Sequence, residues 1–350
     1  MLRILSVSIH SGISSHDDEE TGRSIQRIED KSQYKKVLTG DLVFNMMRAW
    51  QGAIGVSRYD GMVSPAYIVA VPNGTVYPMF MDYCMSTEKM IRHIHRLSYG
   101  LVDFRLRLYW DSFVTIKVAI PCREEQVKIT VFLDLLNKKI ALQRRKVELL
   151  KDYKKGLMER LFYPGFQSTT WRSIKIGTLF DERSIRGNMA VPLLSVTIAD
   201  GVVSRTSIEG KDNSSEDKSS YKCVEPGDIV YNSMRMWQGA SGLSQHLGIV
   251  SPAYTILKPV SETNAEWCAY LFKTARAINA FRRASQGLTS DTWNLKYQQI
   301  ATLYINMPNS DFQQKSVALM SAIGQRITLE ANKLKQYEKH LVGLLQQMFV

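Results

Sequence analysis

An internal repeat constrains this chain more than any other feature. Residues 40–72 read GDLVFNMMRAWQGAIGVSRYDGMVSPAYIVAVP, and residues 227–259 read GDIVYNSMRMWQGASGLSQHLGIVSPAYTILKP. The offset is 187, and 19 of the 33 positions are identical without a gap. The same offset places Asp30-Lys31-Ser32 on Asp217-Lys218-Ser219, Gly100 on Gly287, Pro121 on Pro308, Gly156 on Gly343 and Phe162 on Phe349. Near the front, Leu5-Ser6-Val7 matches Leu194-Ser195-Val196 at an offset of 189. A period this long marks a duplicated domain and not the short unit of a solenoid. Within the 350 residues the first copy lacks a head: Thr169–Ile185, TTWRSIKIGTLFDERSI, has no counterpart before Met1.

Each copy has two parts. The first is a series of short apolar runs broken by Gly, Asn, Asp and Pro. VFNM, AIGV, YIVAV, VTIKVAI, IVYN, YTILK and TLYIN all read as strands. One helix is expected inside each copy, over Met79–Leu97 and Asn264–Arg283, with Gly100 and Gly287 as stop signals. The second part covers residues 123–162 and 311–349. Its apolar residues Phe132, Leu136, Ile140, Val147, Leu150, Leu157 and Leu161 fall at spacings built from three and four. Their partners 187 residues on are Leu319, Ile323, Ile327, Leu334, Tyr337, Leu344 and Met348. That is the seam of a long amphipathic helix with coiled-coil character, roughly 60 Å long at ~1.5 Å per residue. One such helix cannot bury its stripe alone, whereas two copies can bury theirs against each other. The expected fold class is therefore α+β: two β-rich domains separated by two long helices that form an antiparallel, pseudo-twofold coiled coil. The expected boundaries are 1–120 and 164–307 for the domains, and 121–163 and 308–350 for the helices.

Two similar domains on a rigid spacer suit a bipartite ligand. Double-stranded DNA is the natural one, because half-sites about 34 Å apart match a protein two-fold. The net charge of +12 agrees with an anionic partner. Much of that charge sits on the first long helix, where Lys138, Lys139, Arg144, Arg145, Lys146, Lys151, Lys154, Lys155 and Arg160 face Glu148, Asp152 and Glu159. A solvated face, a DNA-backbone contact and a subunit contact remain open readings of these residues. No apolar run approaches a membrane span. Cys84, Cys122, Cys223 and Cys268 form no C-x-x-C pair, so neither a zinc site nor a disulfide scaffold is expected, and the cytoplasm is the default compartment.

In this layout the chain resembles the specificity (S) subunit of type I restriction–modification enzymes. The marks are a domain, a helix, a second domain and a second helix. Each helix is opened by proline then glutamine (Pro121 and Gln126, Pro308 and Gln313). Each closes on a G-L-M-x-x-L-F-like end, at Gly156-Leu157-Met158 with Leu161-Phe162, and at Gly343-Leu344-Leu345 with Met348-Phe349. The V-S-P-A-Y segments at Val63–Tyr67 and Val250–Tyr254, behind M-R-x-W-Q-G, look like one subclass of target-recognition domain. The resemblance implies that each domain reads half of an asymmetric DNA target. It implies that the helices set the spacer and dock two methyltransferase (M) subunits, with two restriction (R) subunits completing the nuclease. It also implies a chain with no chemistry of its own, S-adenosylmethionine being bound by M, and ATP and magnesium being used by R. Independently, the sequence has no N-P-P-[YF] or D-P-P-[YF] motif for a flipped adenine and no phosphate loop. The alternatives are a stand-alone sequence-specific or architectural DNA-binding protein, and a fused methyltransferase fragment, which the missing motifs disfavour.

The repeat also sorts candidate DNA contacts. Shared residues hold the fold or touch phosphates, and differing loop residues read bases. Arg48, Trp50 and Gln51, with Arg235, Trp237 and Gln238, lie in Gly-bounded loops between strands. Arg can fork a guanine, Gln can pair an adenine, and Trp can stack or wedge. Alternatively, each Trp packs in the core and each Arg caps a carbonyl or pairs with Asp41 or Asp228. Lys31 and Lys218, beside Ser32 and Ser219, are candidate phosphate contacts. The differing loops supply Arg23, Arg27 and Arg205, then Arg105 and Arg107 against Thr289, Ser290 and Asn294. The candidate docking and coiled-coil set is Gln126, Phe132, Leu136, Ile140, Val147, Leu150 and Leu157, with Gln313, Ile323, Ile327, Leu334 and Leu344. Asn45 and Asn232 read as turn residues, and His93 and His95 as surface histidines. No metal site is expected.

Overall fold

A computed structural model describes residues 3–9, 12–15, 32–102, 105–165, 170–186, 191–208, 214–215, 217–260, 262–289 and 292–349. The candidates Arg23, Arg27, Lys31 and Ser290 lie outside these residues. Two compact units are formed, residues 1–145 with 331–350, and residues 146–330. Each unit holds one globular part and one portion of each long helix.

In the first unit, β1 (Arg3–Ser8), β2 (Gly12–Ser15), β3 (Lys35–Val37) and β6 (Gly61–Val63) form a sheet in the order β2-β1-β6-β3. A second sheet has the order β5-β4-β7, from β4 (Leu42–Asn45), β5 (Ile54–Val56) and β7 (Tyr67–Ala70). The helices are α1 (Pro78–Met85), α2 (Glu88–Leu97), α3 (Trp110–Phe113) and α4 (Arg123–Leu161), the last shared with the second unit.

The second unit opens with β8 (Arg172–Lys175), α5 (Ile176–Leu179) and β9 (Phe180–Glu182). There follow β10 (Leu194–Thr197), β11 (Gly201–Ser204), β12 (Lys222–Val224), β13 (Ile229–Asn232), β14 (Ser241–Leu243), β15 (Gly248–Val250) and β16 (Tyr254–Pro259). Then come α6 (Ala265–Leu271), α7 (Ala275–Ala284), α8 (Tyr297–Ile300), β17 (Tyr304–Met307) and α9 (Ser310–Met348). The duplication holds element by element: β3 to β7 recur as β12 to β16 and α1 to α4 as α6 to α9, all with starts 187 residues on. The fold is α+β, with two β-rich globular parts and two long helices.

The head makes the largest difference between the copies. In the second unit β9 extends the β14-β13-β16 sheet, and β8 pairs antiparallel with β17. Among the described residues of the first unit nothing corresponds to β8, α5 or β9. The segment VTIKVAI, Val114–Ile120, was expected to be a strand and is not one. Its counterpart, β17, is a strand only because β8 supplies its hydrogen-bond partners; without such a ladder an apolar run has no reason to stay extended.

The single helix expected in each copy is two. Thr87 and Thr274 interrupt them: each side chain donates to a carbonyl of the preceding helix, Cys84 or Leu271, and accepts from the N–H of Met90 or Ala277 at 3.3 Å. A threonine N-cap of this kind starts a new helix where periodicity alone reads one continuous stretch.

Both long helices are 39 residues long. Their seam runs one residue out of step with the sequence reading at its start. Phe132 is 48% exposed and Leu319 43%, whereas Leu133 and Met320 are fully buried. Gln126, Leu133, Ile140, Val147 and Leu161 fall on one buried heptad stripe, and Phe132 lies about 100° around the helix from it. Leu136, Leu150, Leu157, Ile323, Ile327, Leu334 and Leu344 are half-buried. The helices run antiparallel. In the first unit Lys139 lies over the Tyr337 ring at 4.4 Å and Arg144 meets Glu338 at 2.7 Å. In the second, Lys146 and Arg326 converge on the buried Glu330 at 3.0 and 2.9 Å. Part of the basic surplus of α4 is thus used on α9, an outcome distinct from a free solvated face.

The proline–glutamine pairs have a structural use. The Gln126 amide donates to the carbonyls of Pro121 (2.9 Å) and Thr75 (3.1 Å), and its oxygen accepts from the N–H of Tyr77 at 2.7 Å. Gln313 donates to the Pro308 carbonyl at 2.9 Å. Both side chains are buried and lock the start of a long helix to its globular part.

Candidate nucleic-acid interface

The R-x-W-Q-G segments form the same structure twice. Each is one turn of 3-10 helix, Ala49–Gln51 and Met236–Gln238, between two antiparallel strands. Asn45 and Asn232 start it, their side-chain oxygens accepting from the N–H of Met47 and Met234 at 3.0 Å. Gly52 (φ 101°) and Gly239 (φ 85°) end it in the left-handed region, where a side chain would be strained. A Cβ on Gly239 would also meet the Ile278 side chain at 2.9 Å.

The tryptophans support this turn. Trp50 and Trp237 are half-buried, and each indole N–H donates to a carbonyl of its own turn, Met47 or Met234, at 3.0 Å. Trp50 stands 5.4 Å from the His95 ring, and Trp237 stands edge-on to Trp293 at 5.2 Å. Arg48, Gln51, Arg235 and Gln238 are exposed, and among the described residues none of the four side chains has a hydrogen-bond or ionic partner. The pairing of arginine with Asp228 does occur, but the arginine is Arg183 of the head. Its guanidinium meets Asp228 at 2.8 and 3.2 Å, both side chains being buried. Burial pushes the Asp228 carboxyl up, while the Glu225 N–H and Arg183 pull it down.

A second loop joins each turn. In the first unit, Tyr99 and Arg107 exchange backbone hydrogen bonds at 3.1 Å, and the Leu108 N–H donates to Met46 at 2.9 Å. In the second, Gln286 and Asn294 exchange bonds at 3.0 and 2.8 Å, and Leu295 donates to Ser233 at 2.9 Å. Arg107 and Thr289 are exposed, as is Arg105, which has a partner elsewhere. Asn294 is half-buried, and its side-chain oxygen is buried without a hydrogen bond. The loops also carry residues that polarity does not pick out: Leu101 is 93% exposed and Leu288, at the equivalent place, 102%. The signal available in the sequence is an apolar residue next to the shared Gly100 or Gly287.

Other candidates stand apart from this surface or are already engaged. The half-buried Arg205 donates to the Ile208 carbonyl of its own turn at 3.4 Å. Lys218 is half-buried, and beside it the Asp217 carboxylate accepts both the N–H (2.8 Å) and hydroxyl (3.0 Å) of Ser219, which holds it below the usual range. Lys273 was not singled out from the sequence, yet it braces the second turn. Its Nζ donates to Gly239 at 2.8 Å and to Ile198 at 2.9 Å, and burial pushes its pKa down to about 8. The folded chain therefore releases this proton below the ordinary lysine value of 10.5, so stability gains with pH between about 8 and 10.5. The stability advantage of the parent over Lys273→Met should widen across that window in denaturant melts at stepped pH; a constant difference contradicts it. Among the described residues no group of three or more His, Cys, Asp or Glu could hold a metal ion, and no helix is long and apolar enough to cross a membrane.

Solved structures identify the architecture. The HsdS subunit from Thermoanaerobacter tengcongensis matches with a TM-score of 0.53 at 16% identity, over 91% of this chain and 83% of that one. A chain from a study of complex assembly and conformational transition in the type I R-M system matches with a TM-score of 0.59 at 13% identity, over 99% and 91%. The type I restriction–modification S subunit from M. genitalium matches with a TM-score of 0.53 at 11% identity, over 91% and 85%. This chain has the fold of a type I specificity subunit. No family model and no curated protein matches its sequence. The type I fold carries two globular parts here, and each presents its own R-x-W-Q-G turn and adjoining loop.

Proposed function

We propose that this chain is the DNA-specificity subunit of a type I restriction–modification complex, without catalytic activity of its own. Each globular part reads one half of a bipartite double-stranded target. The observation that carries this reading is the duplicated surface: one exposed Arg and one exposed Gln on a rigid turn, in each of two units, beside a loop whose residues differ between the copies. The constant turn suits phosphates or a base feature common to both half-sites, and the differing loops suit the bases that distinguish them.

The long helices set the distance between half-sites and dock the methyltransferase subunits. On α4 within the first unit, Val131, Phe132, Leu135 and Leu142 are all about half exposed or more, an apolar stripe left outside the α4–α9 seam. Phe132 thus remains a docking candidate, although it is not a seam residue. Two M subunits with S-adenosylmethionine and two R subunits with ATP and magnesium supply the chemistry, in the cytoplasm.

Arg48→Ala combined with Arg235→Ala should weaken DNA binding by the complex with its methyltransferase roughly a hundredfold, at about 1–3 kcal/mol per arginine. A loss spread evenly over all sequences, with a shallower salt dependence, identifies phosphate contact. Unchanged affinity and salt slope in a titration overturns the assignment of the turn.

A further inference from the structure

Duplication sets each exposed residue beside its own copy. An exposed apolar residue with no duty is free to change, and most in the globular parts have changed. Leu38, Val71, Tyr99 and Leu247 are exposed, and their counterparts 187 residues away are Glu225, Lys258, Gln286 and Asp60. Single apolar residues of this kind are ordinary on a protein surface. Outside the long helices and among the described residues, three positions are large, apolar and exposed in both copies. They are Met47 with Met234, Leu101 with Leu288 and, at the 189-residue offset of the front segment, Ile9 with Ile198.

In the second unit all three lie around the R-x-W-Q-G turn. Met234 belongs to it, its carbonyl receiving the Trp237 indole N–H. Lys273 joins the Ile198 carbonyl to that of Gly239, the residue that ends the turn. Leu288 is on the loop whose Leu295 N–H reaches Ser233. In the first unit Met47 receives the Trp50 indole, and the loop of Leu101 reaches Met46 through Leu108. The leucines stand out most, at 93% and 102% exposed, on loops with a fixed base. The Tyr99–Arg107 and Gln286–Asn294 bridges close that base, and just beyond each leucine the N–H of Arg105 or Thr292 donates to Val102 or Thr289, at 2.8 and 3.0 Å. Glycine precedes each leucine because backbone passes too close for a side chain: a Cβ on Gly100 would collide with the Arg105 carbonyl, and one on Gly287 would meet that of Thr292 at 2.6 Å. A leucine bare on every side, on a rigid stalk beside an exposed arginine and glutamine, has the form of a wedge. It lacks the form of a protein-interface core, from which charge is depleted.

We propose that Leu101 and Leu288 are wedges that enter the base stack of DNA, one in each half of the target. The proposal rests on the reading of this chain as a DNA-specificity subunit. Each leucine enters between two stacked base pairs from the groove, and the methionine of its turn adds apolar surface beside it. Apolar side chains inserted in this way unstack one step and kink the duplex. The cost depends on the step, and pyrimidine–purine steps open most easily. The wedge therefore favours such a step in each half-site without reading a base edge. This gives a shared residue in an otherwise differing loop its own use: it sets where the duplex bends, and its variable neighbours read what lies beside the bend.

The test uses the full chain in complex with its methyltransferase, and duplexes recovered by that complex from a randomised pool. A fluorescent adenine analogue that is quenched by stacking is scanned through both half-sites. One unstacked step is expected in each half-site, apart from the adenine that the methyltransferase modifies. Leu101→Ala should return the step in one half-site to the signal of the free duplex and leave the other, and Leu288→Ala should do the converse. Leu101→Met and Leu288→Met should keep both signals. Both leucines are exposed, so these variants leave the core intact, and the signal at the modified adenine reports an intact complex. Bound duplexes without such a step, or with steps insensitive to both alanine variants, overturn the wedge while the specificity reading stands. Loss of the methyltransferase from either alanine variant makes the leucine a protein contact and also overturns it. Failure of the parent complex to bind any duplex overturns the specificity reading, and the wedge with it.

Discussion

Arg183→Ala should destabilise the second unit by about 3–5 kcal/mol, the cost of leaving a buried carboxylate without its cation. Asp228 is 1% exposed; its carboxylate accepts from Nε and one Nη of Arg183 and from the backbone N–H of Glu225, and the guanidinium is the cation that meets it. Glu225, half exposed, sits 2.7 Å from the same guanidinium and cannot replace it. The backbone N–H of residue 183, which the alanine variant retains, still donates to Ile256 just beyond β9, so the loss isolates the guanidinium. Chemical denaturation followed by a probe in the second unit measures the loss; a change below about 1 kcal/mol would show that Asp228 is hydrated or protonated instead. Asp41→Asn is the internal control. Among the described residues no arginine stands beside Asp41, and an amide oxygen can still accept from Leu38, so the first unit should lose less than about 1 kcal/mol.

Trp267→Ala should cost about 3–5 kcal/mol, the range for removing a large aromatic from a closed core. Trp267 is fully buried in the second unit, with its ring 5.1 Å from Phe162 at the end of α4 and 6.3 Å from Trp171 of the head. It is the point where the long helix, the head and the globular part meet. Its indole N–H is buried without a hydrogen-bond partner. Trp267→Phe removes that orphaned donor as well as volume, so it should cost less than about 1.5 kcal/mol. The first unit has the same joint with Phe80 against Phe349 at 5.2 Å. Equal losses from the Ala and Phe variants would mean that the site collapses freely around the gap.

How much was legible can be judged at particular residues. The strands carrying the R-x-W-Q-G turns and both long helices follow from local periodicity, which acts within a few residues of chain. Asn45 and Gly52 likewise declare a turn through their own conformational preferences. Phe132 and Leu133 are a different matter: both are apolar, and spacing alone does not say which meets the buried stripe. Threonines 87 and 274 split a helix because their hydroxyls reach backbone groups on both sides, a choice that composition does not reveal. Trp50 and Trp237 read equally as stacking or packing residues until the carbonyl that receives each indole N–H is known.

What the sequence determined by itself is the duplication, and with it the number of globular parts, the two helices and the two copies of the candidate surface. A shared covalent pattern at a constant offset forces a shared local structure. What only the tertiary structure decided is what each repeated group is used for. Val114–Ile120 and its counterpart around β17 have similar apolar content, yet only the latter is a strand, because only there does β8 complete the ladder. Asp41 and Asp228 are the same residue in the same turn, yet among the described residues only Asp228 has an arginine. Hydrogen bonds and ion pairs need a partner from elsewhere in the chain, and the presence of that partner is a property of the assembled unit, not of the repeat.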